Sequence, residues 1–321
     1  MWLMRACLSL LVAVLCVLLP TTADAFTPEG VTAERIASDG NRYMAYTQPD
    51  GTTRVIDGRE GRTFDVATPS NCDDVHAIGG GQLAWNCTRG SDHWHGAAML
   101  LDLRTLTVHE PAGLDGLEYQ ESATNFPVEA VWHDVGSHWL LGTETSIAHS
   151  AMQVWSVALN WRTGEIRRDK PEGTKVFPDP DRSGLTRKLC DPLRRQARKT
   201  RPLEAETPPF LDFQFTRPFG VAQVARRQSN GSTTYSGVLM RCGSRRRIEL
   251  GPYSRDTTQL GGGRVTWIRG RFAYARVLRS GAQRRWRLPA EPRMLVHAAG
   301  RLYLLAGPAN EPRQLYSAPL R

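Results

Sequence analysis

Lysine is nearly missing from this chain. Of its 41 basic residues only Lys170, Lys175, Lys188 and Lys199 are lysine; the rest are arginine. Helix-period apolar stripes are hard to find. Beyond residue 25 no apolar run approaches the roughly 20 residues that a membrane-crossing helix needs. The usual catalytic signatures are missing too: there is no Gly-x-Ser-x-Gly elbow and no His-Glu-x-x-His pair. No glycine-rich phosphate loop opens a helix, since Gly79–Gly81 and Gly261–Gly263 both lead into strands. No Cys-x-x-Cys spacing supports zinc. These gaps set aside helical bundles, nucleotide-binding loops and motif-bearing hydrolases, and they imply no cofactor and no metal site.

Residues 1–25 read as a secretory signal. Arg5 marks a short basic start, an apolar run follows from Ala6 to Pro20, and Ala23-Asp24-Ala25 offers a small-x-small cleavage site before Phe26. Leu15 before Cys16 argues against lipid attachment, where a small residue is expected. The expected mature chain is one domain, residues 26–321, in a secreted or extracytoplasmic setting such as the cell envelope. It keeps four cysteines, Cys72, Cys87, Cys190 and Cys242. An even number in an exported protein reads as disulfides, with three pairings open. Cys72 and Cys87 flank one copy of a repeat, which favours Cys72–Cys87 with Cys190–Cys242.

That repeat organises the rest. VHAIGGGQLAWNC (75–87) has weaker copies in IASDGNRYMAYT (36–47), WHDVGSHWLLGT (132–143), FTRPFGVAQVA (215–225), TTQLGGGRVTWI (257–268) and VHAAGRLYLLAG (296–307). Each is a short strand, a glycine turn and a strand of bulky residues. Each is followed by an alternating strand pair around a polar turn, such as TRVIDGREGRTFDV (53–66) or AMLLDLRTLTVH (98–109). Two such pairs make a four-stranded unit of about 40–45 residues, the size of a propeller blade. The motif glycines fall at Gly40, Gly80, Gly136, Gly220, Gly262 and Gly300, so six blades are expected, with an irregular insertion at 170–211 associated with the third. Seven blades require that insertion to be a blade; its prolines and charges favour a loop with a helical turn. The sixth unit, QLYSAPLR (314–321), stops after one strand, and residues 27–35 can supply the missing outer one.

These pieces resemble six-bladed β-propellers of the TolB-like type, as found in exported actinobacterial proteins. The resemblance covers the mature chain. It implies a fold and carries no catalytic residues.

Charge is split along the chain. Residues 26–160 hold 7 Lys+Arg and 18 Asp+Glu, net −11; residues 161–321 hold 33 and 13, net +20. The densest basic run contains Arg194, Arg195, Arg198, Lys199 and Arg201, and a second cluster is Arg245, Arg246 and Arg247. Arginine forks onto carboxylate and phosphate. These residues form the expected anion site of a non-catalytic binding or scaffolding module, its partner an anionic envelope polymer, an anionic lipid surface or an acidic protein. Solvated surface charge is the alternative. Nucleic acid is not expected, since no interleaved stacking-aromatic and basic motif is present. The rival function is an exported hydrolase or lyase acting on envelope glycans at the central channel, for which Asp73-Asp74 and Glu118/Glu121 are carboxylate pairs. Histidine and tryptophan cluster over 92–149: His93 and His95 share a strand face and could share a metal, and aromatic rings on blade rims could stack on sugars, but the favoured expectation is that Trp132 and Trp139 pack while the histidines sit in loops. His76 and His297 hold equivalent places in two copies of the repeat, which points to a structural role for both.

Overall fold

The computed structural model describes residues 24–89, 94–114, 129–148, 151–169, 177–179, 184–186, 213–216, 218–227, 233–241, 244, 246–308 and 310–320. Strands β1 (Asp24–Ala25) and β2 (Thr27–Ala33) open it. Blade 1 is β3 (Arg35–Ser38), β4 (Tyr43–Thr47), β5 (Thr52–Asp57) and β6 (Arg62–Ala67). Blade 2 is β7 (Cys72–Gly79), β8 (Gln82–Arg89), β9 (Trp94–Asp102) and β10 (Thr107–His109). Blade 3 is β11 (Glu129–Val135), β12 (Trp139–Ala148), β13 (Ala151–Asn160) and β14 (Ile166–Asp169). A two-stranded pair follows, β15 (Phe177–Asp179) with β16 (Gly184–Thr186). Blade 4 is β17 (Phe213–Thr216), β18 (Phe219–Arg227), β19 (Thr233–Arg241) and β20 (Arg247–Pro252). Blade 5 is β21 (Thr258–Gly261), β22 (Arg264–Arg269), β23 (Phe272–Val277) and β24 (Gln283–Arg287). Blade 6 is β25 (Pro292–Ala298), β26 (Arg301–Ala306) and β27 (Arg313–Pro319), completed on its outside by β2.

The chain is a six-bladed β-propeller, each blade an antiparallel meander. No seventh blade is present among the described residues. The described part of the insertion is the β15–β16 pair, which follows the outer strand of blade 3; the rest, where a loop with a helical turn is expected, lies outside the described residues. The ring closes through the first strands: β2 pairs antiparallel with β27, and β1 runs parallel to β24 on the edge of blade 5. Both pairings cover strand edges, but Asp24 and Ala25 of β1 belong to the stretch read above as a signal, so in a chain cleaved before Phe26 only the β2 pairing remains.

Local chemistry explains the hairpins. The carboxylate of Asp39 accepts the backbone N–H groups of Asn41, Arg42 and Tyr43 at 2.8, 2.8 and 2.9 Å, which fixes the β3–β4 turn. Asp102 does the same for Arg104 and Thr105 at 2.8 and 3.0 Å. Short Asx side chains favour such turns because they mimic a backbone acceptor. Strand β4, YMAYT, is buried throughout because blades stack on both of its faces, whereas β5 alternates.

The core is therefore a series of layers between blades. Tyr43 and Val55 of blade 1 meet Val75, Leu83 and Trp85 of blade 2. Ala84 and Leu100 of blade 2 meet Trp132, Leu140 and Leu159 of blade 3. Val221 and Leu239 pack on Val265 and Trp267, Trp286 on Leu302 and Leu304, and Tyr303 and Leu305 on Ile36 and Met44. Two glycines mark backbone contacts too close for a side chain. Gly80 has φ +57°, and a Cβ on it would lie 2.1 Å from Ser137 N in blade 3. Gly262 has φ +50°, and its Cβ would lie 1.9 Å from the carbonyl oxygen of Gly40 in blade 1.

Candidate functional site

The first strand of each blade, β3, β7, β11, β17, β21 or β25, lies at one end of its sheet and faces the axis of the ring. Blades 2 and 3 break the regular ladder there. Between the pairs Cys72↔Cys87 and Gly79↔Gln82, β7 advances seven residues while β8 advances five, so β7 carries two extra residues. The register shifts fall at Asp73–Asp74 and at His76. In β11 a third shift falls at His133, between the pairs Trp132↔Gly142 and Asp134↔Leu141. A bulge re-aims the side chains that strict alternation would place elsewhere. All three of these bulges carry titratable residues.

Two ion pairs reach across the axis. Arg255, in the connection from blade 4 to blade 5, donates from Nη1 to Asp134 Oδ2 of blade 3 at 2.9 Å. Asp256, the next residue, lies 3.8 Å from Nη2 of Arg35 in blade 1. Each pair skips at least one blade's inner strand, so the Arg255–Asp256 dipeptide bridges opposite walls. A neutral link joins the walls as well: Gln259 of blade 5 donates to the Ser38 carbonyl of blade 1 at 2.9 Å.

The surroundings shift several of these groups. Burial pushes the Asp74 carboxyl up, nearby Glu34 and Asp73 add to this, and Arg35 opposes it. Burial pushes the His76 imidazole down to about 3, helped by Arg35 and His133. The wall thus carries a carboxyl biased toward its neutral form and an imidazole neutral at ordinary pH. The imidazole can donate or accept a hydrogen bond without adding charge.

His297 differs from His76 despite its matching repeat position. It is fully enclosed between blades 5 and 6. Its backbone N–H donates to Gln259 Oε1 at 2.7 Å, and its ring nitrogens meet Thr266 Oγ1 and the Gly261 carbonyl oxygen, each at 3.1 Å. Burial lowers its pKa to about 4. A structural role fits His297. His76, half-buried beside Arg35 and His133, is grouped with the channel instead, because the bulge offsets it from the packed face.

The other expected residues are distributed as follows. Cys72 and Cys87 form a disulfide across β7 and β8. Cys190 and Cys242 lie outside the described residues, as do Arg194, Arg195, Arg198, Lys199, Arg201 and Arg245. Arg246 and Arg247 are exposed at the start of β20. His93, His149, Glu118 and Glu121 lie outside the described residues. His133 sits in strand β11 rather than a loop, while Trp132 and Trp139 are buried as expected. Among the described residues no cluster of His, Cys, Asp or Glu is suited to a metal ion, and no helix is long and apolar enough to cross a membrane. Sequence reasoning missed Arg35, Arg255 and Asp256. Their signal was positional: charged residues at or just before the inner strands of blades 1 and 5.

No family model matches the chain, and no curated protein matches it. Solved structures similar to it include an oligogalacturonate lyase in complex with manganese, at 11% identity and TM-score 0.47, over 93% of this chain and 97% of that one. The β-propeller domain of the Trilobed protease from Pyrococcus furiosus is similar at 9% identity and TM-score 0.38, over 92% and 83%. Acylaminoacyl peptidase from Pyrococcus horikoshii is similar at 10% identity and TM-score 0.45; the match covers 92% of this chain and 53% of that one. These are likenesses of fold.

Proposed function

We propose that this propeller is an exported, non-catalytic binding or scaffolding module for an anionic polymer of the cell envelope. The observation that carries the reading is the arginine content of blades 4 and 5: residues 241–288 hold 13 arginines, no lysine and two carboxylates, Glu249 and Asp256. Arg246, Arg247, Arg284, Arg285 and Arg287 are exposed on or beside the outer strands of these adjacent blades. A one-signed rim on a rigid ring raises the local concentration of a polyanion. Arg194, Arg195, Arg198, Lys199 and Arg201 of the insertion belong to the same reading.

The test is titration with polyphosphate at low salt and again at about 0.3 M salt, where screening shortens the reach of surface charge to well under 10 Å. Binding that weakens with salt, and weakens again when Arg246 and Arg247 or Arg284 and Arg285 become serine, is expected. Equal binding by the parent and both double variants would make the arginines solvated surface.

The alternative reading is an exported hydrolase or lyase acting on envelope glycans. Its support is that the bulged inner strands of blades 2 and 3 carry Asp74, His76 and His133, with His76 and His133 close enough to interact. Turnover of glycan substrates that disappears in Asp74→Asn or His133→Asn would establish it over the binding module.

A further inference from the structure

We propose that the Arg35 end of the channel is a binding site for a small monocarboxylate, with the Arg35 guanidinium as its docking fork and Asp256 as the internal carboxylate that the ligand displaces. This site uses none of the exposed outer-strand arginines of the rim, Arg246, Arg247, Arg284, Arg285 and Arg287.

Blade 1 shows what a filled fork looks like. The Nε and Nη2 edge of a guanidinium clamps a carboxylate with two parallel hydrogen bonds. Arg54 does this to Asp65 at 2.6 and 2.7 Å, and Arg42 does it to Asp57, with Nε at 2.8 Å. Arg35 does not. Its Nη2 is 3.8 Å from Asp256 Oδ1, beyond hydrogen-bonding reach, and its Nε is shielded from solvent with no hydrogen-bond partner among the described residues. A shielded N–H without an acceptor is destabilising, so a carboxylate that displaces Asp256 and draws the guanidinium edge outward satisfies Nε as well as Nη2, which Asp256 does not.

The neighbours suit that exchange. The Asp256 side chain is 52% exposed, so water receives it when it yields its place. Arg255 keeps a second positive charge nearby while held by Asp134 at 2.9 Å. His76, neutral because it is buried, lies beside Arg35 and offers a ring nitrogen, while Asp74, whose charged form burial penalises, is a carboxyl the ligand must keep clear of. Glu34 and Asp73 are exposed close by and do repel. They select against a polyanion, which leaves a small, singly charged acid.

The experiment is calorimetric titration of the intact protein at neutral pH with N-acetylglycine and with its uncharged amide. The acid is expected to bind and the amide to bind at least about tenfold more weakly, since the charge-assisted pair is lost. Arg35→Lys keeps the charge but not the fork, and its affinity is expected to fall by about tenfold. Asp256→Asn removes the competing carboxylate and is expected to tighten binding several-fold. Arg246→Ser with Arg247→Ser leaves N-acetylglycine binding unchanged while weakening polyphosphate binding, which separates this site from the rim. No binding of the acid, equal binding of acid and amide, or an Arg35→Lys variant that binds like the parent overturns the proposal. If thermal melts show that Arg35→Lys is unfolded, Asp256→Asn decides: unchanged affinity overturns it and tighter binding supports it.

Discussion

The inner hairpins of blades 2 and 6 start from nearly the same words, VHAIGGG and VHAAGR, and end in different structures. In blade 6, β25 is regular from Met294 to Ala298, and His297 is locked into a dry hydrogen-bonded layer. In blade 2, β7 holds two extra residues, is cross-linked at its first residue, and turns Asp74 and His76 toward charged neighbours. One copy of the repeat is used for packing and the other for a polar wall. The difference lies in register against the partner strand, which is why the same residue type does two jobs.

The largest expected effect sharpens the contrast at the turns. Gly80 and Gly300 both have positive φ, +57° and +73°, but only Gly80 faces backbone within the reach of a Cβ. Gly80→Ala should lose on the order of 3–4 kcal/mol, from strain plus a clash that no rotamer relieves, and Gly300→Ala about 1 kcal/mol. Paired urea melts check this; equal losses would mean that blades 2 and 3 are not in contact at that turn.

Next comes the cross-link of blade 2. Cys72 and Cys87 are 15 residues apart, and the loop-entropy account gives roughly 3 kcal/mol for the bond. Reduction, or Cys72→Ser with Cys87→Ser, should lower the midpoint accordingly and shift the titration behaviour of His76 and Asp74. His297 should not respond, because it sits in another blade.

The pH response of blade 6 follows in size. The His297 pKa is lowered to about 4 in the folded chain against about 6.5 when unfolded, so the unfolded state takes up the proton first. The contribution is fully present above pH 6.5 and is lost as pH falls toward 4, by roughly 2 kcal/mol at pH 5. His297→Gln should flatten this part of the stability profile while lowering stability at pH 7. His76 titrates in the same direction. Because it is only half-buried, His76→Asn should change stability at pH 7 by under about 1 kcal/mol, the smallest effect of the series.

Much of the fold was readable because its determinants are local. Turn glycines and Asx residues recur at near-blade spacing, and all six motif copies became the inner hairpins. The Cys72–Cys87 bond was readable because both cysteines flank one such hairpin. The wall of the channel was not. A bulge is a mismatch between two strands, and neither β7 nor β8 shows it alone. Arg255 and Asp134 are 121 positions apart and meet only because the ring closes. His76 was assigned by analogy with His297, and the analogy held for the sequence position but not for the side chain's setting.

The outer strand of blade 6 is the first complete strand of the chain, Thr27–Ala33, and its partner β27 is the last, ending at Pro319. On a ribosome the earlier strand emerges long before its mate. At about 5–20 residues per second the interval between them is on the order of 15–60 s. Throughout that wait the sixth blade cannot close, and Phe26, destined for the layer between blades 5 and 6, lacks the blade 6 half of its cover. Completion of this ring therefore waits for β27. A stalled or truncated product would present a sticky end rather than a slightly weakened propeller.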